Sequence, residues 1–164
     1  MLGVPYVLEE GIPQMTDDYA KYEKECERIR EENVKVLADF SDWLTAKGLS
    51  EKSIGNHRAN MDFYLNHFLL YEDAKPAETG VSEAGCFLGD WFIRKAMWAS
   101  QSSIKSSAAT LKKFYTFMHE KGRVTQEELD DLKAEIKEEM PEWLATLARY
   151  DDPDIDDMDD VWGI

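Results

Sequence analysis

The residue types that could do catalytic chemistry are few in this 164-residue chain and lie far apart along it. Cys26 and Cys86 have no Cys-x-x-Cys spacing, so we interpret them as free thiols in a reducing compartment. Two cysteines and three scattered histidines do not supply the four close ligands that structural zinc needs. The serines of residues 100–107 have neither a Gly-x-Ser-x-Gly elbow nor an adjacent histidine, which favours a turn and a helix cap. We therefore expect no enzyme, no metal and no cofactor.

The aspartate-rich residues 151–160 are the other candidate for metal binding. An EF-hand loop needs glycine at its sixth position and glutamate at its twelfth, where this segment has Asp156 and Trp162. We interpret residues 151–164 as a solvated acidic tail. His57 falls on a helical apolar face, and we interpret it as a core side chain with one hydrogen bond rather than a catalytic base.

The net charge of −15 is distributed unevenly along the chain. Residues 1–32 hold four basic and nine acidic side chains, a charge of −5. Residues 33–124 hold twelve basic and ten acidic side chains (+2), and residues 125–164 hold three basic and fifteen acidic ones (−12). The acidity therefore belongs to the two ends, and the mildly basic middle is the segment that could face a polyanion.

The hydropathy of the sequence argues against a membrane protein, and its N-terminal residues argue against a secretory signal peptide. No apolar run approaches the ~18 residues of a membrane helix, and Glu9 and Glu10 stand where a signal peptide would be basic or apolar. We expect no membrane partner and a cytoplasmic protein, nucleoid-associated in a prokaryote if it binds DNA.

Apolar residues at steps of three and four predict an all-α fold. From Thr16, taken as a cap, the spacing continues to Lys47 and predicts one nearly continuous helix, which Gly48 ends. Asn33 is its one polar seam position. We expect this helix to pack on the acidic helix of residues 126–149 or on the same helix of a second chain.

Four further helices follow by the same spacing. Their predicted starts are Ser50 or Ser53, Ser82, Ile104, and the residue after Thr125. Pro76 and Gly80 indicate a loop before the third helix, whose apolar face includes Met97; Gly122 closes the fourth, and Pro141 begins a short new helix. The predicted common core comprises Phe40, Trp43, Leu44, Ile54, Met61, Leu65, Trp91, Phe92, Leu111, Phe114 and Met118.

These features divide the chain into five segments. They are an irregular arm (1–15), a helical extension continuous with the first domain helix (16–32), a helical domain (33–124), an acidic helical appendage (125–150) and the acidic tail (151–164).

Two stretches of the helical domain have the order and spacing of motifs in a known family. The first comprises residues 40–44 (Phe-Ser-Asp-Trp-Leu), 48–54 (Gly-Leu-Ser-Glu-Lys-Ser-Ile) and 61–64 (Met-Asp-Phe-Tyr). The second comprises residues 103–105 (Ser-Ile-Lys), 111–118 (Leu-Lys-Lys-Phe-Tyr-Thr-Phe-Met) and 122–124 (Gly-Arg-Val). Over roughly residues 30–125 they resemble the N-terminal, SAM-like core-binding domain of tyrosine recombinases and phage integrases.

The resemblance implies a compact four-helix bundle that grips duplex DNA through helix starts in the major groove. Helix starts offer unpaired N–H groups and a positive dipole end to phosphates. The matching DNA-binding positions on the second and fourth helices are Lys52, Ser53, Asn56, Arg58, Asn60, Ser103, Lys105, Ser106, Lys112 and Lys113.

The strand-transfer machinery of that family has no counterpart here. Tyrosine recombinases place an Arg, a His-x-x-Arg and a nucleophilic Tyr in a separate C-terminal domain, whereas His119 leads to Gly122 and then Arg123. Tyr150 is the only tyrosine after Val124 and has no basic cluster to stabilise a phosphoryl transition state. We expect a catalytically inactive DNA-binding module linked to DNA integration, recombination or mobile elements.

Two other functions stay open from the sequence. One is an acidic protein-interaction or dimerisation module that keeps the fold but has lost DNA binding, through the helix of 16–47 and the acidic helix of 126–149. The other is a DNA mimic that occupies basic clefts of another protein. For the DNA-binding function, we expect the acidic C-terminal segment to oppose binding, so that a chain ending near Arg123 or Val124 binds more tightly.

Overall fold

The computed structural model describes residues 12–151 of the chain, and the side chains of residues 17–151. Within these residues every regular element is helical and no strand occurs, which confirms the all-α prediction. The α-helices are α1 (Ile12–Ala46), α2 (Glu51–Phe63), α3 (Ala84–Cys86), α4 (Phe92–Lys95), α5 (Gln101–Glu120) and α6 (Gln126–Asp151). Two π-helical turns, Tyr64–Phe68 and Phe87–Trp91, and one 3-10 turn, Ala77–Ser82, complete the regular structure. None of the described helices is long and apolar enough to cross a membrane.

Helix α1 is continuous, as its apolar spacing predicts, but it begins earlier than expected. It starts at Ile12, so Thr16 lies inside the helix and the prediction that Thr16 caps it was wrong. Pro13 fits within the first turn, where its missing N–H would have no helical partner in any case. The predicted irregular arm therefore loses residues 12–15 to α1, and its residues 1–11 lie outside the described part.

The packing partner of α1 also differs from the prediction. Its main contacts are with α2, the Tyr64–Phe68 turn and α5 rather than with the acidic helix. Toward its start, Cys26 and Ile29 form a small separate cluster with Leu70. Asn33 and Asn66 explain the one polar seam position, because the Asn33 amide donates to Asn66 Oδ1 at 2.8 Å. The apolar seam is thus covered within the single chain.

Serine hydroxyls start the two helices that carry most of the predicted site. Ser50 caps α2, accepting a hydrogen bond from the Ser53 N–H at 3.2 Å. Ser100 and Ser103 form a reciprocal capping box at the start of α5. Because the cap lies at Ser100, α5 begins three residues before the predicted start at Ile104.

Glycines end two of the long helices where the sequence predicts. Gly48 follows α1 with φ of 88°, and Gly122 follows α5 with φ of 73°. Residues with a side chain rarely adopt this left-handed backbone conformation, which glycine reaches without steric cost. Thr125 and Glu128 then cap α6 reciprocally, with the Glu128 N–H donating to Thr125 Oγ1 at 3.0 Å.

The segment between α2 and α5 is where the sequence prediction fails most. The loop expected around Pro76 and Gly80 is the 3-10 turn, and Ser82 ends this turn instead of opening a helix. The expected third helix is present but begins at Ala84, and a π-helical turn, Phe87–Trp91, joins α3 to α4 without an interruption of the helical backbone. Met97 does not join its apolar face, since the side chain is 99% exposed.

Two buried tyrosines explain the course of this segment. The Tyr64 hydroxyl donates to the Gly80 carbonyl at 2.6 Å, and the Tyr115 hydroxyl donates to the Ala77 carbonyl at 2.7 Å. Burial raises the pKa of both hydroxyls well above their ordinary value, so they stay protonated donors. A Cβ at Gly80 would clash with the Tyr115 hydroxyl and the rings around it, so only glycine allows this close approach.

Most of the predicted core is buried together. Phe40, Leu44, Met61, Leu65, Phe92, Leu111, Phe114 and Met118 are buried in one cluster, as predicted. Three others, Trp43, Ile54 and Trp91, are partly exposed and pack against that cluster.

Helix α6 belongs to the same core. It contributes Leu129, Leu132, Ile136, Trp143 and Leu147, so no packing boundary falls at residues 124–125. The prediction that Pro141 begins a new helix was wrong, because α6 runs through it. Pro141 is exposed, while the helix on either side is fixed by buried side chains, and this packing outweighs the one missing backbone hydrogen bond.

Leu111→Ala tests the core assignment of α5. Leu111 is 1% exposed, and we expect its truncation to lower the free energy of unfolding by about 2–5 kcal/mol through lost burial and a cavity. Denaturant melts measure the loss, and Lys105→Ala on the exposed side of the same helix is the control. A loss under about 1 kcal/mol would place Leu111 at the surface.

Tyr115→Phe tests the tyrosine anchor separately from packing. The substitution keeps the ring but leaves the buried Ala77 carbonyl without its donor, and we expect a loss of about 1–3 kcal/mol in the free energy of unfolding. Tyr71→Phe, which removes an exposed hydroxyl, is the matched control and should be near neutral. Equal losses for the two variants would contradict the anchor.

Candidate nucleic-acid interface

A polar seam joins α2 to α5 on the side that carries the predicted DNA contacts. His57 Nδ1 lies 2.6 Å from Thr110 Oγ1. The Asn60 amide donates to Thr110 Oγ1 and to Ser106 Oγ, each at 3.0 Å. These four residues, named here the α2–α5 seam, fix the two helices against each other by hydrogen bonds rather than apolar contact. Two predicted site residues, Asn60 and Ser106, thus meet directly.

The seam shows that α2 and α5 run in opposite directions. Asn60 contacts Ser106, whereas the earlier His57 contacts only the later Thr110. Trp98, just before α5, packs on Phe63 at the end of α2, with ring centroids 5.1 Å apart. The start of α2 is about 15 Å along the axis from Asn60, toward the end of α5. The two helix starts are therefore not brought together, and what the helices share is a flank.

Several predicted site residues have structural hydrogen bonds of their own. The Ser103 hydroxyl belongs to the cap of α5, where it accepts from the Ser100 N–H at 2.8 Å. Ser53 is half-buried beside the Ser50 cap, and its N–H is used there. Asn56, in contrast, is exposed. The Ser103 hydroxyl and the Ser53 N–H are therefore used in the caps of α5 and α2. The surface available to a ligand is mainly cationic.

The five predicted cationic residues are the accessible part of the site. Within residues 17–151, none of them has a carboxylate within ion-pair distance; they are Lys52, Arg58, Lys105, Lys112 and Lys113. All are exposed except the half-buried Lys113. Elsewhere arginines pair with carboxylates, as in Arg94 Nε to Asp90 Oδ1 at 2.6 Å. The five charges are thus free to meet an anion.

Two lysines that the sequence analysis did not select extend this surface onto α6. Lys133 and Lys137 line a depression of about 430 Å³ together with Lys112 of α5, over Ile136 and Met140. Sequence reasoning treated this helix by its net acidity and did not select the two lysines. Their four-residue spacing, which puts both on one helix face, is the signal that could have found them.

Five carboxylates of α6 lie on the other side of the helix, whereas Asp130 shares the face of Lys133 and Lys137. A groove of about 650 Å³ between α6 and the segment that begins α3 is lined by Glu128, Asp131, Glu135, Glu138 and Glu139. Two causes raise the pKa of Glu135: burial, which is the larger, and repulsion from the carboxylate of Glu139. At 100° per residue these positions are roughly opposite Lys133 and Lys137. Helix α6 therefore separates a basic face from an acidic one.

The two thiols and His57 lie on three different helices of the described residues, α1, α3 and α2. Cys26 and Cys86 are free thiols, as predicted, and burial raises the pKa of Cys86, which disfavours a reactive thiolate. Among the residues that the structure describes, no group of three His, Cys, Asp or Glu side chains could hold a metal ion. His57 is half-buried rather than fully in the core, with Thr110 as its one hydrogen-bond partner.

Comparison with known proteins adds no relative to this picture. No protein-family model matches the chain, and no match is found among curated proteins or among solved structures. The function is therefore inferred from the side chains on and around the α2–α5 seam.

Titration of His57 tests the electrostatics of the seam. Partial burial, and then the positive charge of Lys113, hold the pKa of His57 below its ordinary 6.5. Because the unfolded chain binds this proton more tightly, the stabilising contribution is fully present above pH 6.5 and is lost as pH falls toward the folded-state pKa. We expect NMR titration of the His57 ring to give a pKa below 6.5.

Two lysine variants make that titration specific. Lys113→Gln should raise the His57 pKa, because it removes the neighbouring positive charge. Lys105→Gln, on the same helix but with no part in lowering the His57 pKa, should leave it unchanged. An unchanged pKa in Lys113→Gln would mean that Lys113 is too far from the ring to act on it.

Proposed function

We propose that this chain is a DNA-binding module without strand-cleaving activity, which holds duplex DNA against the flank formed by α2 and α5. The observation that supports it is the set of five cationic side chains on these two helices that have no carboxylate partner among residues 17–151, in a chain whose net charge is −15. The predicted partner is the phosphate backbone, since lysine and arginine contacts there supply sequence-independent affinity.

The spacing of the cations suits a backbone contact. Lys105 and Lys113 are about 12 Å apart along the axis of α5, which corresponds to three to four base pairs at about 3.4 Å each. Lys52 and Arg58 lie on the neighbouring helix, beyond the seam. Contacts would therefore come from helix flanks, and not from two helix starts placed together.

The proposed fold within the all-α architecture is the four-helix SAM-like bundle of the core-binding domain. Its four helices would be the second half of α1, α2, the helical segment of residues 84–95, and α5. Helix α6 would be an addition that closes one side of the bundle. The role that follows is that of a non-catalytic factor in DNA integration or recombination, at the nucleoid of a prokaryotic cytoplasm.

Removal of the acidic C-terminal segment is not a usable test of this proposal. Five side chains of α6 belong to the main core, so a chain ending near Arg123 or Val124 would lose part of that core. The expected opposition of the acidic segment to DNA is better tested in the full chain, where Glu138→Gln and Glu139→Gln neutralise exposed carboxylates.

The decisive measurement is fluorescence anisotropy of a labelled duplex with the full chain. With four to five phosphate contacts, we expect affinity to fall about 100- to 500-fold between about 50 mM and about 200 mM salt. Lys105→Glu combined with Lys112→Glu should weaken binding at low salt by at least about tenfold, because two contacts become repulsions.

A matched charge reversal on α1 controls for net charge. Lys21→Glu combined with Lys24→Glu makes the same change in total charge, at exposed positions near the start of α1. This variant should bind nearly as the unchanged chain does. Equal losses in both double variants would indicate a general charge effect, and no binding by the unchanged chain at low salt would overturn the proposal.

Binding of a basic protein partner is the second candidate function, and the acidic groove beside α6 is the observation that favours it. Most of the apolar seam of α1 is not available to a partner, since Ile29, Val36 and Phe40 are buried within the chain, whereas Tyr19 near its start is exposed. A labelled oligolysine peptide in the same titration separates the two functions. Binding of the peptide without binding of the duplex, reversed by Glu138→Gln with Glu139→Gln, would favour the protein partner.

A further inference from the structure

The depression between α5 and α6 combines two features that the DNA proposal does not use together. Its rim has three ammonium groups, from Lys112, Lys133 and Lys137, and its floor is apolar, from Ile136 and Met140. Ile136 is buried and Met140 half-buried, whereas the three lysines are exposed. Duplex phosphates would use mainly the rim, since a sugar–phosphate backbone has no aliphatic or aryl chain long enough to cover the floor.

None of the described residues that line the depression is acidic. None of the three lysines forms an ion pair within residues 17–151. Asp130 lies one turn before Lys133 on the same helix face, and its Oδ1 accepts a hydrogen bond from Gln126 Nε2 at 2.8 Å. The carboxylates that line the acidic groove lie on the other side of α6. Three adjacent like charges repel one another, so an anion placed among them relieves this repulsion as well as gaining its own attraction.

We propose that this depression binds a small anionic amphiphile, a molecule with one acid group and one aliphatic or aryl chain. The chain of the amphiphile lies over Ile136 and Met140 and removes the exposed apolar surface of Met140 from water. The acid group lies among the lysine ammonium groups. A volume of about 430 Å³ is at the lower end of ligand sites, which suits one chain rather than a two-chain lipid.

The site also predicts competition with the proposed DNA surface. Lys112 belongs to both, so a bound amphiphile would remove one cation from the flank of α5. By thermodynamic linkage, any loss of DNA affinity caused by the amphiphile equals the loss of amphiphile affinity caused by DNA. When no DNA is present, the proposed amphiphile site is the same whether or not the chain has any affinity for DNA.

Three probes of the full chain separate the two features of the site. Octanoate has both the acid group and the aliphatic chain. Octanol has the aliphatic chain without the negative charge, and inorganic phosphate has negative charge without an aliphatic chain. NMR shifts of the Ile136 and Met140 methyl groups report occupancy. We expect saturable shifts with octanoate at one site per chain, and affinities at least about tenfold weaker for octanol and for phosphate.

Variants of the rim lysines test where the carboxylate of octanoate binds. Lys133→Gln combined with Lys137→Gln should weaken octanoate by at least about tenfold and leave octanol unchanged, because only the charge is removed. Both lysines are exposed, so the core is not disturbed, and thermal melts verify this. Lys21→Gln combined with Lys24→Gln, a matched change near the start of α1, should leave octanoate binding as it was.

Three results would overturn the proposal. Equal affinity for octanol would mean that the lysines take no part, and equal affinity for phosphate would mean that the floor takes none. Octanoate binding that survives the Lys133 and Lys137 variant would place the site elsewhere. Failure of the DNA titration together with octanoate binding at these methyl groups would leave this inference standing and remove only the proposed function.

Discussion

Two hydroxyl groups in the core determine how the middle of this chain folds. Tyr64 and Tyr115 come from helices about fifty residues apart in sequence, and both donate to carbonyls of the same 3-10 turn. The turn is thereby held against the Tyr64–Phe68 turn and α5, and it forms part of the surface on which α6 packs. Gly80 is required at this point because the Tyr115 hydroxyl occupies the space of a Cβ. Together with α5, the anchored turn therefore supports α6.

Helix α6 shows why total charge is a poor guide to partners. Its apolar side contributes to the main core, and its remaining surface is divided between a lysine face and a carboxylate face. Lys112 of α5 lines the same depression as Lys133 and Lys137, so cations of the two helices meet there. A chain that is strongly acidic by count therefore has a local group of cations between α5 and α6, and a polyanion meets that local field rather than the sum.

The parts of the fold that local sequence determines were predictable, and the parts set by distant contacts were not. The length of α1 follows from its apolar period, and Ser50, Gly48 and Gly122 mark helix ends by chemistry that acts within one turn. The 3-10 turn depends on hydroxyls from elsewhere in the chain, which no local pattern reveals. The same holds for the candidate site: the cations of α2 and α5 were identified by residue type, whereas the contribution of Lys133 and Lys137 needed the packing of α6 on α5.

The two separate apolar clusters along α1 divide one helix into two parts of unequal stability. The second half lies in the main core, while the first half is secured by Cys26, Ile29 and Leu70 and by the hydrogen bond from the Tyr22 hydroxyl to the Leu70 carbonyl. Few buried side chains resist local opening there. The first half can therefore detach and unwind as a unit while the second half stays folded, and its backbone amides would exchange with solvent without global unfolding.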